Sequence, residues 1–391
     1  MLTPYDEFPV HQASRPFSHV PSTDTAWDDG YFFGLQGPAD GLFLFTGMRV
    51  SPNTDVIGGY AGVCVGGRQV TSRHSRLWRP DFATAVGPLS YRFVEPFRDI
   101  HLVLEPHGSP LSFDIHWLGE GPAFEEAHHL ATNRGRTTTD QTRYTQAGTA
   151  QGWIEFDGTR YDVNPRAWGG TRDHSWGIYD DRLPLKGLQQ WLPPREPVAR
   201  PRALRLWVPF RSADYTGFYC FHEDADGRSE GLNDVFGTPF EGRVDFGWDR
   251  AVRFVSGRHD LEFHPGTRVM KRGTVTLEDE DGGVWRQELE AVGMPWCPFT
   301  IGYHQGSWKD GGTLATYHGD GVVSEWDELD VSRQPFEHTP YGAAAPVRMQ
   351  GFEYLLRIRS TDPSGRTVEA TGQLELFIAG RYAPYGFEAE R

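Results

Sequence analysis

Short apolar bursts with a period of two, cut at close intervals by glycine, proline and Asn or Asp turns, run through most of this chain and restrict it to β structure. Between Tyr31 and Val65 the bursts Leu42-Phe43-Leu44-Phe45 and Val63-Cys64-Val65 are separated by Pro52-Asn53 and Gly58-Gly59, the punctuation of short strands and tight turns. Tyr91 with Phe93, Ile100 with Leu102 and Leu104, and Phe113 with Ile115 and Trp117 each place alternate side chains on one face of a strand. Phe124 to Leu130 reads as a short helical turn or an edge strand. Trp153 to Asp157 and Thr159 to Val163 predict a hairpin across Asp157-Gly158.

The second half repeats the pattern. Leu204, Leu206, Val208 and Phe210 alternate as in a half-buried strand, and Tyr354–Ser360 pairs with Arg366–Ile378 across Asp362-Pro363-Ser364-Gly365, burying Leu374, Leu376 and Ile378. Between the halves stand Pro184, Pro193, Pro194, Pro197 and Pro201, a density that excludes a central strand and suits a semi-rigid connector. A length of 391 residues is enough for two domains. The sequence therefore predicts an all-β, mostly antiparallel protein with an N-terminal unit over 1–184, a connector over 185–201 and a C-terminal unit over 202–391.

The stretch with most chemistry is Trp168-Gly169-Gly170-Thr171-Arg172-Asp173-His174-Ser175-Trp176-Gly177. A carboxylate, an imidazole and a guanidinium occupy adjacent positions between indoles and glycines, a mixture that packing alone does not call for. In a regular strand Arg172, His174 and Trp176 share one face while Asp173 and Ser175 share the other; a bulge at the glycines would instead turn the acid and the imidazole toward one cavity. A purely structural corner, with Asp173 bonded to backbone and His174 in the core, is the competing account.

Asp173-His174-Ser175-Trp176-Gly177 resembles the Asp-His-x-Trp-Gly signature of the superfamily of carotenoid 1,2-hydratases, AttH-like proteins and lipocalin-like cyclases. The resemblance implies two lipocalin-like (calycin-type) β domains packed together around an apolar ligand, and protonation of a carbon–carbon double bond, or its reverse, in an isoprenoid or other apolar substrate. On that reading Asp173 holds the proton, kept by desolvation among aromatic rings. His174 orients it or relays protons, and Trp176 and Trp168 shape the wall. Arg172 has to turn to another partner, since a guanidinium on Asp173 would make a salt bridge of the acid. The cluster Trp296 to Trp308, with Tyr303, His304 and Trp308, followed by Tyr317-His318, is the expected far wall of the same pocket; the histidines are otherwise exposed turn residues. A carrier of a hydrophobic small molecule, or a pericyclic cyclase needing little acid chemistry, fits the same residues.

Other classes are less well served. The net charge of −15 argues against nucleic acid as the main partner, because phosphates need Lys and Arg to replace their counterions. Cys64, Cys220 and Cys297 are odd in number and far apart, which fits a reducing, cytoplasmic setting better than a disulfide framework. No apolar run reaches bilayer length, and residues 1–20 lack a secretory pattern. Gly-x-Ser-x-Gly, phosphate-loop, dinucleotide and His-Glu-x-x-His motifs are all missing, and the acidic turns at 223–227 and 279–283 lack calcium-loop spacing. No cofactor and no metal site is expected, and the sequence leaves the oligomeric state open.

Overall fold

The computed structural model describes residues 7, 9, 13–179, 196–197, 200–229, 238–333, 336–349 and 351–388. Most of the predicted connector over 185–201 lies outside them. Among the described residues the structure is all-β, with two short 3-10 turns at Pro298–Ile301 and Ala383–Tyr385 and no α-helix. Phe124 to Leu130 is resolved in favour of strand: Phe124–Glu125 and His129–Asn133 both pair with the long strand Arg136–Phe156.

Two sheets carry the architecture. The first is a 14-stranded sheet whose middle runs Leu42–Ser51, Trp27–Gly37, Gly169–Tyr179, Arg136–Phe156, so the signature strand is central and paired on both sides. The second is a closed eight-stranded antiparallel barrel, beginning at Leu204–Ser212 and closed by Thr367–Ile378. The expected C-terminal unit lends one strand to the first sheet: Val323–Asp330 leaves the barrel and pairs with Arg68–Leu77.

One face of the first sheet builds its own core from Phe33, Leu35, Leu44, Ile57, Val63, Trp117 and Trp168. The opposite face meets the barrel, and here the glycines of the N-terminal text find their use. Gly30, Gly34 and Phe32 alternate along Trp27–Gly37 on the barrel side, where a Cβ at Gly30 would lie 2.4 Å from Arg49 Cγ and one at Gly34 would lie 2.4 Å from Gln373 Oε1. Small residues here let the barrel and the large neighbouring side chains approach the sheet.

Leu204–Ser212 is buried on both faces instead of half-buried. Leu204, Leu206, Val208 and Phe210 fill the barrel, while Arg205 and Trp207 are covered by the first sheet. The same holds for the closing hairpin. Leu374, Leu376 and Ile378 point into the barrel as predicted, and the alternate residue Gln373 is 1% exposed on the other side because it too faces the sheet.

Candidate active site

The signature strand keeps its register with Trp27–Gly37 and with Arg136–Phe156 over its whole length, without a bulge. Alternation therefore decides where its side chains go. Arg172, His174 and Trp176 share the face turned away from the barrel. Arg172 donates from Nε and Nη2 to Gln146 Oε1 (2.9 and 2.8 Å) and from Nη1 to the Tyr144 hydroxyl (3.2 Å), the partner it needed in place of Asp173. His174 is engaged at both ring nitrogens, Nε2 with Asp29 (2.7 Å) and Nδ1 with the Tyr144 hydroxyl (3.1 Å), and its ring lies against Tyr31 and Trp176. The expected partnership of His174 with Asp173 is thus corrected: adjacent residues on an unbulged strand diverge.

Asp173 faces the barrel and lines a chamber of about 260 Å³ between the two sheets. Strand register defines the surroundings. One rung holds Arg143, Ser175, Gly30 and Arg49; the next holds Thr145, Asp173, Phe32 and Gly47. Arg49, 4% exposed, grips Asp28 with Nε and Nη2 (2.7 and 2.8 Å) and donates from Nη2 to Ser175 Oγ (3.2 Å). Burial opposes its charge, but Asp28, Tyr303 and Asp173 outweigh that and hold the proton firmly on the guanidinium.

The barrel supplies the opposite wall. Glu353 and Glu375 stand directly across from each other in the closing hairpin, and both line the chamber with Gln373. Glu375 is ion-paired with Arg205. Glu353 is 5% exposed; burial first, and then the charge of Glu375, push its carboxyl well above the usual carboxylate range, and a hydrogen bond to Glu375 adds to this. Arg205 and a hydrogen bond from Gln373 pull the other way without restoring it. Burial and the facing carboxyl of Glu375 thus favour the protonated form of Glu353.

A directional relay reaches Glu353 from the first sheet. Gln36 Nε2 donates to Thr171 Oγ1 (3.0 Å), Thr171 Oγ1 to Gln373 Oε1 (2.7 Å), and Gln373 Nε2 to Glu353 Oε2 (2.8 Å). Thr171 belongs to the signature strand, two residues from Asp173. The signature therefore fixes both acids, one directly and one through Gln373.

The remaining expected residues divide. Tyr303 and His304 line the chamber, Tyr303 bonded to the Tyr60 hydroxyl (3.0 Å) and His304 exposed at the rim. Trp168, 2% exposed, packs in the first sheet's own core. Trp176 lies on the far face against His174 and Tyr144. Trp308 and His318 stack on each other (3.9 Å between ring centres), and His318 is held by Asp310 and the Thr313 carbonyl. These four are corrected from pocket wall to scaffold, since each is committed to neighbours elsewhere. The indoles that do border the chamber are Trp207 and Trp296, the latter stacked on Phe45 at 4.0 Å.

The expectation of an apolar chamber is also corrected. Phe32, Trp207, Trp296, Ile301 and Phe377 share the lining with Arg49, Arg143, Arg202 and Arg205 and with three carboxyl groups. Alternation assigns charged residues to strand faces that look exposed in isolation, and docking of the two sheets then covers them. Among the described residues no three His, Cys, Asp or Glu side chains cluster as a metal site requires.

A family model matches residues 2–388. The chain belongs to the family of unknown function DUF8625. No curated protein matches this DUF8625 member. Among solved structures it is similar to kievitone hydratase from Nectria haematococca (10% identity, 89% of this chain and 88% of that one, TM-score 0.46). It is also similar to CghA crystallised with Sch210972 (8% identity, 90% of this chain and 89% of that one, TM-score 0.47) and to CghA without it (8%, 90% and 88%, TM-score 0.47). The chemistry of the DUF8625 chamber has to be read from its own side chains.

Proposed function

We propose that this protein is a cofactor-independent acid–base enzyme of the hydratase or dehydratase type, working on a small molecule held between the sheet and the barrel. The observation that carries the reading is the facing pair Glu353 and Glu375 in the same chamber as Asp173, where burial and the charge of Glu375 push the Glu353 carboxyl well above the usual carboxylate range. Two carboxyl groups in unlike surroundings are what a paired acid and base require. The Asp-His-x-Trp-Gly resemblance points to the same class of reaction.

The roles differ from those the sequence suggests. In the dehydrating direction Asp173 takes a proton from carbon, Glu353 gives its proton to the hydroxyl on the neighbouring carbon, and water leaves as the double bond forms. Hydration is the reverse. Loss of the Glu353 proton leaves two facing carboxylates with only Arg205 beside them, which drives reprotonation. Asp173 is only half-buried and exchanges its proton with water.

The four guanidiniums select the kind of intermediate. A carbocation would be repelled by them, whereas negative charge developing on an oxygen conjugated to the reacting carbon would be stabilised. This favours a β-hydroxy carbonyl compound, or its unsaturated product, over an unfunctionalised isoprenoid. The chamber volume of about 260 Å³ lies just below the usual range of ligand cavities, roughly 300–1,000 Å³, and agrees with a compact substrate.

The test is to incubate the purified chain in D2O with a panel of β-hydroxy carbonyl compounds and their enone products, following water loss, water addition and deuterium uptake by mass spectrometry. Turnover by the wild type that is lost in both Asp173→Asn and Glu353→Gln supports the assignment. Return of every compound unchanged and undeuterated removes the catalytic reading and leaves a small-molecule carrier.

A further inference from the structure

The chamber holds a guanidinium with little bound to it. Arg49 is gripped by Asp28 and Arg205 is ion-paired with Glu375. Arg143 is different. It lines the chamber and is 7% exposed, yet among the described residues its Nε has no hydrogen-bond partner, and the one hydrogen bond of its side chain runs from Nη2 to Gln141 Oε1 at 3.5 Å, the outer limit of such a bond. Among the described residues it forms no ion pair. Asp173 and Glu126 act on it only through space, strongly enough with other charges to offset burial and keep it protonated.

A buried guanidinium without bonded partners is costly, and a protein retains one where something else completes it. Charges of both signs surround it, with Asp173, Glu126 and Glu375 acting against Arg205. Arg202 and Arg205 line the same chamber, and the neighbouring His129 is held neutral, pushed down to about 2 by burial and then by Arg143, Arg205 and Arg202. Among the described residues no negative side chain is bonded to its guanidinium.

We propose that Arg143 is the docking group for a carboxylate carried by the substrate. Its guanidinium presents paired N–H groups that match the two oxygens of a carboxylate, and the ligand would supply the bonded acceptors that the fold leaves out. Arg143 and Asp173 occupy neighbouring rungs, so an acid anchored at Arg143 presents its adjacent carbons to Asp173. The inference rests on the chamber being the substrate site, and it would make that substrate a small acid.

Calorimetry with benzoate and its neutral isostere benzamide tests this on the full chain, at low and high salt. Benzoate should bind at least about tenfold tighter than benzamide, with the preference weakened by salt, because one charge-assisted bidentate contact is worth on the order of that ratio. Arg143→Met should reduce the preference to about twofold or less, and Arg143→Lys, which keeps charge but not the fork, should fall between. Circular dichroism and thermal melting establish that each variant is folded; should Arg143→Met not fold, Arg143→Lys and the wild-type salt dependence still decide. Equal binding of the two compounds, a preference that survives loss of Arg143, or no binding of benzoate at millimolar concentration overturns the proposal. A selective benzoate site in a chain whose turnover is indifferent to Glu353→Gln would keep the anchor and discard the acid–base reading. Turnover that needs Glu353 without any carboxylate preference would do the opposite.

Discussion

Glu353 and Glu375 face each other across adjacent antiparallel strands, and only one of them has an arginine. Like charges directly opposite in a ladder are destabilising, and burial of Glu353 at 5% exposure resolves the conflict by keeping a proton on the pair. The most distinctive chemical property of the chamber thus comes from a local arrangement that a stability-optimised sheet would avoid.

Glu353→Gln keeps the volume and the contact with Gln373 while removing the proton. Turnover of an identified substrate should fall by at least about a hundredfold, the usual scale of a lost general acid. Stability should respond in the opposite sense. The folded value of Glu353 is raised above that of the unfolded chain, so its contribution is fully present below the ordinary carboxylate range and is lost as pH rises toward the folded value. Urea unfolding should show the wild type weakening relative to the variant as pH rises above the ordinary carboxylate range.

Glu241 offers an independent check away from the chamber lining. Burial, then the charge of Glu126, push its carboxyl up to about 7, although the Ala127 N–H donates to it. Its stabilising contribution is complete below about pH 4.5 and disappears as pH rises through 7. Glu241→Gln should therefore raise stability by about 3 kcal/mol at pH 8 and change little at pH 4, as read from paired denaturant titrations.

Asp173→Asn and His174→Gln separate two adjacent residues by face. Asp173→Asn should abolish turnover and lower the melting temperature modestly, because its charge faces the buried Arg49 and Arg143. His174→Gln should retain turnover within a few-fold while lowering stability by about 1 kcal/mol, since its bonds go to Asp29 and Tyr144. Equal catalytic loss in both would return His174 to the mechanism.

Thr171→Val interrupts the relay at its midpoint. Thr171 is 1% exposed and joins Gln36 to Gln373, so two buried amide groups lose a partner, at a cost of about 1–3 kcal/mol. Because Gln373 positions Glu353, kcat should fall further than KM rises, which separates loss of positioning from loss of binding.

Gly34→Ala probes the docking of sheet on barrel. The added Cβ would lie 2.4 Å from Gln373 Oε1 and 2.9 Å from Thr171 Oγ1, forcing the relay apart and costing about 1–3 kcal/mol as an overpacked site. Thermal melting and turnover should both decline.

Much of this was legible in the residues. The period-two bursts predict strands, and the Asp157-Gly158 and Asp362–Gly365 turns predict hairpins; only the unbulged register of the folded sheet separates Asp173 from His174. Even the acid pair leaves a trace. Counting the ladder outward from the Asp362–Gly365 turn pairs Thr361 with Thr367 and reaches Glu353 opposite Glu375, a coincidence of like charges that marks a position worth inspecting.

What the sequence could not convey is which strand faces are covered. Period two shows that a strand has two sides, but it does not tell water from another sheet on the second side. Docking of the barrel on the signature face buries Arg143, Glu353 and Gln373 together. It turns residues that read as surface into a charged chamber and leaves Trp168, Trp308 and His318 in the scaffold. Strand identity follows from local sterics and alternation. Protonation of Glu353 and the unmet bonds of Arg143 exist only once two sheets exclude solvent from between them.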